Sequence, residues 1–122
     1  MDVRDIAAVA AVTLTESGHE GATYTLTGPA GLTHTQIAAA LSGALGREVS
    51  FVDVPPEAFA DSLRKILPPW QVEGLVEDYA HYRRGEAASV SSAVADLTGR
   101  PPVDIQQFAR DYAYAFTAAS TG

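Results

Sequence analysis

The first helix of the chain is predicted by apolar residues that recur at three- and four-residue steps. Four of them share one helical face: Val3, Ile6, Ala10 and Leu14. This spacing predicts a helix from Val3 to about Glu16, with that apolar face packed inward. Asp2 is placed to cap the helix, and the charge of Asp5 favours its first turn.

Two segments have apolar residues arranged as is typical of β-strands. Residues 22–27, "ATYTLT", place Tyr24 and Leu26 between threonines, and residues 48–54, "EVSFVDV", are rich in β-branched residues. Between them, Thr33 and Gln36 have the spacing of a capping box, and Gly46 marks the end of a helix. The two strands are therefore expected to be parallel and to form a right-handed βαβ unit.

The rest of the chain shows helical periodicity. A helix ends at the "LPPW" break, and a second one carries the apolar positions Val72, Leu75, Val76, Tyr79 and Tyr82 and ends near Gly85. The segment "SSAVADLTGRPP" predicts a short helix and a turn. A last helix is predicted after Asp104, with five residues on its inner face: Ile105, Phe108, Tyr112, Ala115 and Phe116.

These elements predict an α/β chain that is mostly α, with one small two-stranded βαβ unit and about four further helices. We expect a single domain over residues 1–122, in which 1–55 hold the first helix and the βαβ unit and 56–122 form a helical lid. Neither an internal repeat nor a low-complexity linker divides the chain.

Composition narrows the classes of function. The net charge of −7, without an offsetting basic cluster, argues against nucleic acid as a partner. The chain has no cysteine, and no apolar run reaches the roughly 20 residues of a membrane span. We found no secretion signal, so a cytoplasmic location is expected. A single lysine and no asparagine are typical of a GC-rich bacterial genome.

Two nucleotide-site patterns were tested against the sequence and fail. The "GPAG" turn, Gly28 to Gly31, lacks the G-x-G-x-x-G spacing, and Pro29 has no N–H to offer a phosphate. The Tyr-x-x-x-Lys pair of short-chain dehydrogenases is also absent, because the residue four before Lys65 is Asp61. Tyr79 and Arg83 have this spacing, but arginine does not replace the lysine. The simpler interpretation of the "GPAG" stretch is a strand-to-helix turn, and that of the segment with Tyr79 and Arg83 is an amphipathic helix.

The remaining polar residues give weak signals for catalysis. The three histidines, at 19, 34 and 81, have no metal-ligand spacing, so no metal site is expected. His81 lies between Tyr79 and Tyr82 but off their apolar stripe. These three residues are the acid–base candidates of the chain, and the alternative is an amphipathic helix whose tyrosines face the core.

An apolar and aromatic set remains in the two helices on either side of "LPPW". The residues that we expect to bind a substrate are Phe59, Leu63, Leu67, Trp70, Leu75 and Tyr79. One interpretation is that they form the hydrophobic core. The other is a groove for a flat organic molecule, since such pockets are mostly apolar with a few polar groups. Trp70, at the helix junction, is the member that we expect to be partly exposed.

Several of these segments together resemble a known family. The stretches "DVRDIAAVAAVTL", "YTLTGPAGLTHTQIAAALSGALGREVSFVDVPPEAF", "VADLTGRPP" and "FARDYAYAF" resemble the C-terminal part of NmrA-like NAD(P)-binding proteins, which are atypical extended short-chain dehydrogenases. The resemblance implies that the helical part from Pro56 to Gly85 covers a small-molecule pocket. In that family a Rossmann portion with the dinucleotide site precedes this region, and we expect that portion to be absent here.

Four hypotheses follow from this resemblance. The leading hypothesis is a stand-alone domain without bound NAD(P) or other cofactor, which binds a small apolar, aromatic or polyketide-like molecule. The second is the substrate-side half of a split NAD(P)H-dependent oxidoreductase, and the third is a cofactor-independent cyclase or isomerase. The fourth is a gene remnant or isolated fragment with no activity of its own. Because two parallel strands make a poor sheet, we also expect a homodimer or a separate Rossmann-type partner chain, formed by continuing the sheet or by burying the first helix.

Overall fold

The protein is mostly helical in a computed structural model that describes residues 1–118. The helices in this part of the chain are α1 (Val3–Thr15), α2 (His34–Leu45), α3 (Pro56–Leu63), α4 (Pro69–Arg83), α5 (Ala93–Thr98), α6 (Ile105–Asp111) and α7 (Ala113–Ala118). None of these helices is long and apolar enough to cross a lipid bilayer. The predicted predominance of helix is confirmed.

The predicted two-stranded βαβ unit is not shown. Residues 22–27 and 48–54 are non-helical, and no strand is assigned anywhere within residues 1–118. Along the first segment, Thr23 and Thr25 are exposed while Tyr24 and Leu26 are half-buried, which is the alternation of a strand. The segment therefore has a strand's pattern of burial without a neighbouring strand to pair with.

The described residues form two compact units. The first contains Met1–Ser50 and the chain from Val90 onward, and in it α1 packs on α5 while α2 packs on α6 and α7. The second is the continuous segment Phe51–Ser89, in which α3 packs on α4. The candidate substrate-binding set lies entirely in this second unit.

Local signals for helix ends are confirmed in the first unit. Thr33 and Gln36 form the capping box of α2, with Gln36 N donating to Thr33 Oγ1 at 3.2 Å and Thr33 N donating to Gln36 Oε1 at 2.8 Å. Gly46 ends α2 with φ of 63°, a left-handed conformation that favours glycine. The last predicted helix is instead two helices, α6 and α7, because Tyr112 at their junction departs from helical geometry.

The predicted inner face of α1 is wrong. Val3 and Leu14 are 71% and 85% exposed, whereas Asp5 is fully buried and Val9 is 5% exposed. The helix is thus oriented with Asp5 and Val9 inward and with the predicted apolar stripe outward. The cause is a set of polar contacts with distant parts of the chain, described below.

Candidate functional site

Three aromatic rings form a row on the second unit. The Phe59 ring of α3 meets the Tyr79 ring of α4 with centroids 5.1 Å apart and planes at 76°. Tyr79 meets Tyr82 in the same edge-to-face manner, at 5.8 Å and 80°. The positions i and i+3 of α4 lie on one helix face, which is why the two tyrosines adjoin. The structure therefore brings together Phe59, Tyr79 and Tyr82, of which the periodicity placed only Tyr79 and Tyr82 on a common face.

The members of the predicted substrate-binding set differ in their exposure. Four are half-buried, namely Phe59, Leu63, Leu67 and Leu75. Trp70, in the first turn of α4, is 69% exposed, and Tyr79, nine residues later on the same helix, is 41% exposed. Phe59 and Tyr79 of this set join α3 to α4 through their ring contact. The role of the set in binding a substrate stays a prediction.

His81 belongs to an exposed ionic cluster at the end of α4. Its Nε2 lies 3.3 Å from Glu77 Oε1, its Nδ1 contacts Glu86, and Arg84 Nη2 lies 2.9 Å from the same Nδ1. The hydrogen bond from Arg84 holds the pKa of the Glu86 carboxyl below its usual range. These contacts suit a surface network that secures the helix end, whereas Arg83 is paired separately with Asp53.

A buried carboxylate ties α1 to the segment after α5. Asp5, which has no exposed surface, accepts a hydrogen bond from Arg100 Nη1 at 2.8 Å through one oxygen. Its other oxygen accepts one from the backbone N–H of Val103, also at 2.8 Å. Both oxygens are therefore satisfied, as burial of a charge requires. The sequence predicts only that Asp5 lies in the first turn of a helix, and its pattern gives Arg100 no role beyond the predicted turn.

A second ionic contact joins α1 to α6. Arg4 Nε and Nη2 donate to the Asp2 carboxylate at 3.0 and 2.8 Å, and Arg4 Nη1 donates to Asp111 Oδ2 at 2.7 Å. The Asp2 side chain also accepts from Arg4 N, so the predicted N-cap is confirmed. The Arg4 guanidinium lies 5.2 Å from the centre of the Tyr112 ring. Its hydrogen bonds hold the pKa of both carboxyl groups below the usual range.

The turn from Gly28 to Gly31 does not fit the pyrophosphate of a dinucleotide. The helix that follows begins at His34, and its N-cap, Thr33, already occupies a first-turn N–H through the capping box. Pro29 has no N–H, and a phosphate site at a helix start depends on free backbone donors. The stretch is the connection that leads from the extended residues 22–27 into α2, and it lacks the features of a phosphate loop.

Two open depressions lie on the first unit. One, of about 490 Å³, is lined chiefly by small residues of α2 together with Gln106 and Arg110 of α6. The other, of about 390 Å³, lies between residues 23–25 and the start of α5. Neither is lined by a member of the predicted substrate-binding set. Within the described residues, no group of three or more His, Cys, Asp or Glu side chains is arranged to hold a metal ion.

Comparison with known proteins places these features in a wider context. No protein-family model matches the sequence. The chain is 37% identical over 116 residues to the (4-alkanoyl-5-oxo-2,5-dihydrofuran-3-yl)methyl phosphate reductase of Streptomyces griseus, a match that covers 95% of this chain and 41% of that protein. It is 39% identical over 120 residues to the NAD(P)H azoreductase of Xenophilus azovorans, covering 98% of this chain and 42% of the relative.

The fold comparison agrees with these relatives. The NADPH-dependent quinone oxidoreductase QOR2 of Escherichia coli superposes with a TM-score of 0.78 and 29% identity, over 92% of this chain and 40% of that chain. The chain thus spans about two fifths of the length of the relatives that it matches. Over nearly all of its own length, the chain is therefore similar to one part of each of these three reductases.

Proposed function

We propose that the chain is the substrate-side part of an NAD(P)H-dependent reductase, and that a Rossmann-type portion outside these 122 residues holds the cofactor. The observation that carries this proposal is the similarity to two reductases over 95% and 98% of the chain. It favours the oxidoreductase hypothesis over a stand-alone binding domain. NAD(P)H supplies the hydride when it is bound, and the residues of this chain bind and orient the acceptor.

The aromatic surface of α3 and α4 suits a flat, conjugated acceptor. The relatives are named for a quinone, an azo compound and an oxo-dihydrofuran phosphate, and conjugated acceptors are common to these names. The exposed Trp70 and the row formed by Phe59, Tyr79 and Tyr82 offer ring faces and edges for offset or edge-to-face stacking. Leu63, Leu67 and Leu75 supply the apolar contacts around it. We therefore propose a quinone-like substrate class.

The narrower NmrA-like assignment is part of the same proposal. In such a protein, residues 22–27 would extend the sheet of the Rossmann portion. Support comes from the alternating burial of Thr23, Tyr24, Thr25 and Leu26, which is the pattern of a strand. The backbone N–H groups of residues 23–26 make no hydrogen bond with other described residues, so they are available for pairing.

The cyclase or isomerase hypothesis has less support. It requires Tyr79, Tyr82 or His81 to exchange protons with a substrate. His81 is engaged by Glu77, Glu86 and Arg84 in an exposed cluster, which satisfies the ring without a ligand. The tyrosines contact Phe59 and each other through their ring edges, which serves binding as well as catalysis.

The proposed site carries its own spectroscopic reporter. Trp70 is the chain's single tryptophan, is 69% exposed and lies in the first turn of the helix that carries Tyr79 and Tyr82. We expect 1,4-naphthoquinone to quench its emission in a saturable manner, beyond the linear quenching of free N-acetyltryptophanamide. Tyr79→Ala removes the central ring of the row and should weaken this binding about tenfold, as the loss of an aromatic anchor typically does.

A matched control separates site binding from general adsorption. Leu14→Ala removes an exposed apolar side chain from α1, in the other unit, and should leave the quinone affinity unchanged. Linear quenching in the parent chain, or equal affinity of the parent and Tyr79→Ala, would contradict the proposed substrate surface. NADPH added alone should leave Trp70 emission unchanged, because the proposal assigns the cofactor to another portion.

Activity is tested by grafting. The chain replaces the matched region of E. coli quinone oxidoreductase 2, to which it is 31% identical over 104 residues. We expect the graft to oxidise NADPH in the presence of 1,4-naphthoquinone, with a KM raised by Tyr79→Ala. A folded graft that binds NADPH and the quinone but oxidises no NADPH would contradict the reductase proposal.

A further inference from the structure

Helix α1 has no charged solvent face. Its charged residues are Arg4 and Asp5, and both contact other elements. Asp5 is fully buried against Arg100 and the Val103 amide, and Arg4 reaches Asp111 of α6. A surface helix normally directs its charges to water and its apolar stripe to the core, whereas α1 buries a carboxylate together with Val9 and leaves other apolar residues outside.

The outward side of α1 is a continuous apolar stripe. Its large members, Val3, Ile6 and Leu14, are 71%, 47% and 85% exposed. The alanines at positions 7, 10 and 11 are also exposed and fill the space between them. From Ile6 to Thr15 the helix carries no charged or amide side chain. Scattered apolar residues are normal on a surface, but here the large side chains and the alanines between them adjoin along one helix face.

We infer that this outward stripe of α1 is the interface for the dinucleotide-binding portion of the reductase. The inference rests on the proposed function and names the partner surface. In the two reductases that resemble this chain, about three fifths of the sequence lies outside the matched region. Those proteins therefore carry a large further portion. The stripe's lack of charge calls for an apolar partner face, because an unpaired buried charge would be costly.

Size argues against a second copy of the chain as the occupant. The 13 residues of α1 span about 20 Å and a helix is about 10 Å wide, so the stripe covers roughly 200 Å². A stable interface needs about 800 Å² on each partner. Two copies that met through α1 alone would bury too little surface. The further portion that the relatives carry, about three fifths of their length, is large enough to cover residues 22–27 of the same unit as well, and it is therefore the better occupant.

The chain's lack of cysteine allows a direct test. Single cysteines are introduced as Ala10→Cys and Leu14→Cys on the stripe, and as Ala58→Cys at an exposed position of α3 for control. The rate of maleimide labelling is measured in three formats: the chain alone, the chain mixed with the unmatched part of E. coli quinone oxidoreductase 2, and the covalent graft. Any cysteines of that partner are replaced beforehand. We expect labelling at the two stripe positions to slow about tenfold or more in one of the last two formats, while Ala58→Cys labels equally throughout.

A charged variant gives an independent readout. Ala10→Lys keeps a good helix former on α1 but places an ammonium in the stripe. It should leave the unfolding temperature of the chain alone unchanged and abolish the protection of Leu14→Cys, whereas Ala58→Lys should not.

Two results overturn the inference. One is rapid labelling of both stripe positions in every format. The other is slow labelling in the chain alone that deepens with protein concentration, which would identify a second copy as the occupant. The Trp70 titration with 1,4-naphthoquinone tests the proposed substrate class, and the labelling experiment tests the proposed interface. The two results are independent, so an error in one proposal is distinguished from an error in the other.

Discussion

Replacing the buried carboxylate of α1 should destabilise the protein strongly. In Asp5→Asn the side chain keeps its size but loses its charge, and its amide group must face one of two donors, Arg100 Nη1 or Val103 N. Whichever donor meets the amide loses its acceptor. The charged hydrogen bonds that hold α1 to the segment after α5 are thereby weakened or broken.

The magnitude follows from the burial of each group. A hydrogen bond to a charged group contributes about 1.5–3 kcal/mol, and a buried donor left without an acceptor costs about 1–3 kcal/mol. Asp5 is fully buried, but the Arg100 side chain is 43% exposed and regains water when its partner is lost. We therefore expect a loss of about 2–4 kcal/mol, a large share of the roughly 5–15 kcal/mol that stabilises a typical domain.

Urea unfolding followed by far-ultraviolet circular dichroism measures this loss. The matched control is Asp61→Asn, because Asp61 and Arg64 form an i,i+3 ion pair with side chains 71% and 58% exposed. Exposed pairs of this kind contribute little, so the control should unfold at the urea concentration of the parent chain. If Asp5→Asn and Asp61→Asn have equal, negligible effects, the buried-carboxylate argument is refuted.

Three further predictions concern the first unit. Gly43 lies in the last turn of α2, where a Cβ would meet nothing within 4 Å, so Gly43→Ala should stabilise the chain by up to about 1 kcal/mol. Gly46 has a φ of 63°, so Gly46→Ala should destabilise it by about 1 kcal/mol, and shifts of the same sign in urea unfolding would contradict this pair of predictions. Thr33→Ala removes the α2 cap and should cost about 1 kcal/mol, with Thr35→Ala as a milder control. Arg4 lowers the pKa of both its carboxylate partners, so its contribution is present above about pH 4 and lost as pH falls through the lowered pKa values. The difference in Tm between the parent and Arg4→Gln should therefore shrink below about pH 3, and a difference that is constant with pH would rule this out.

The features that the sequence predicted well depend on neighbours along the chain. The α2 capping box needs only Thr33 and Gln36, and the end of that helix needs only Gly46. The α4 stripe likewise brought Tyr79 and Tyr82 together because the i,i+3 spacing alone decides it. Short-range spacing therefore carries enough information for these elements.

The features that it missed depend on contacts across most of the chain. Asp5 meets Arg100 and Val103, and Arg4 meets Asp111, all about a hundred residues away in sequence. A periodicity argument treats every aspartate as polar and places Asp5 on the solvent side of the helix. It does not identify Arg100, whose hydrogen bond makes the burial of Asp5 favourable. Strand pairing is non-local in the same way, since residues 22–27 specify an extended pattern but not a partner.

The continuity of the second unit has a consequence for how such a chain can evolve. The first unit is assembled from two separated stretches of sequence, while the second is the uninterrupted segment Phe51–Ser89. A single recombination cassette could therefore exchange the whole aromatic surface and leave Asp5, Arg100 and the other ion-paired positions of the first unit untouched. Segment shuffling between homologous genes at these two junctions is thus a practical route to chains with new binding preferences.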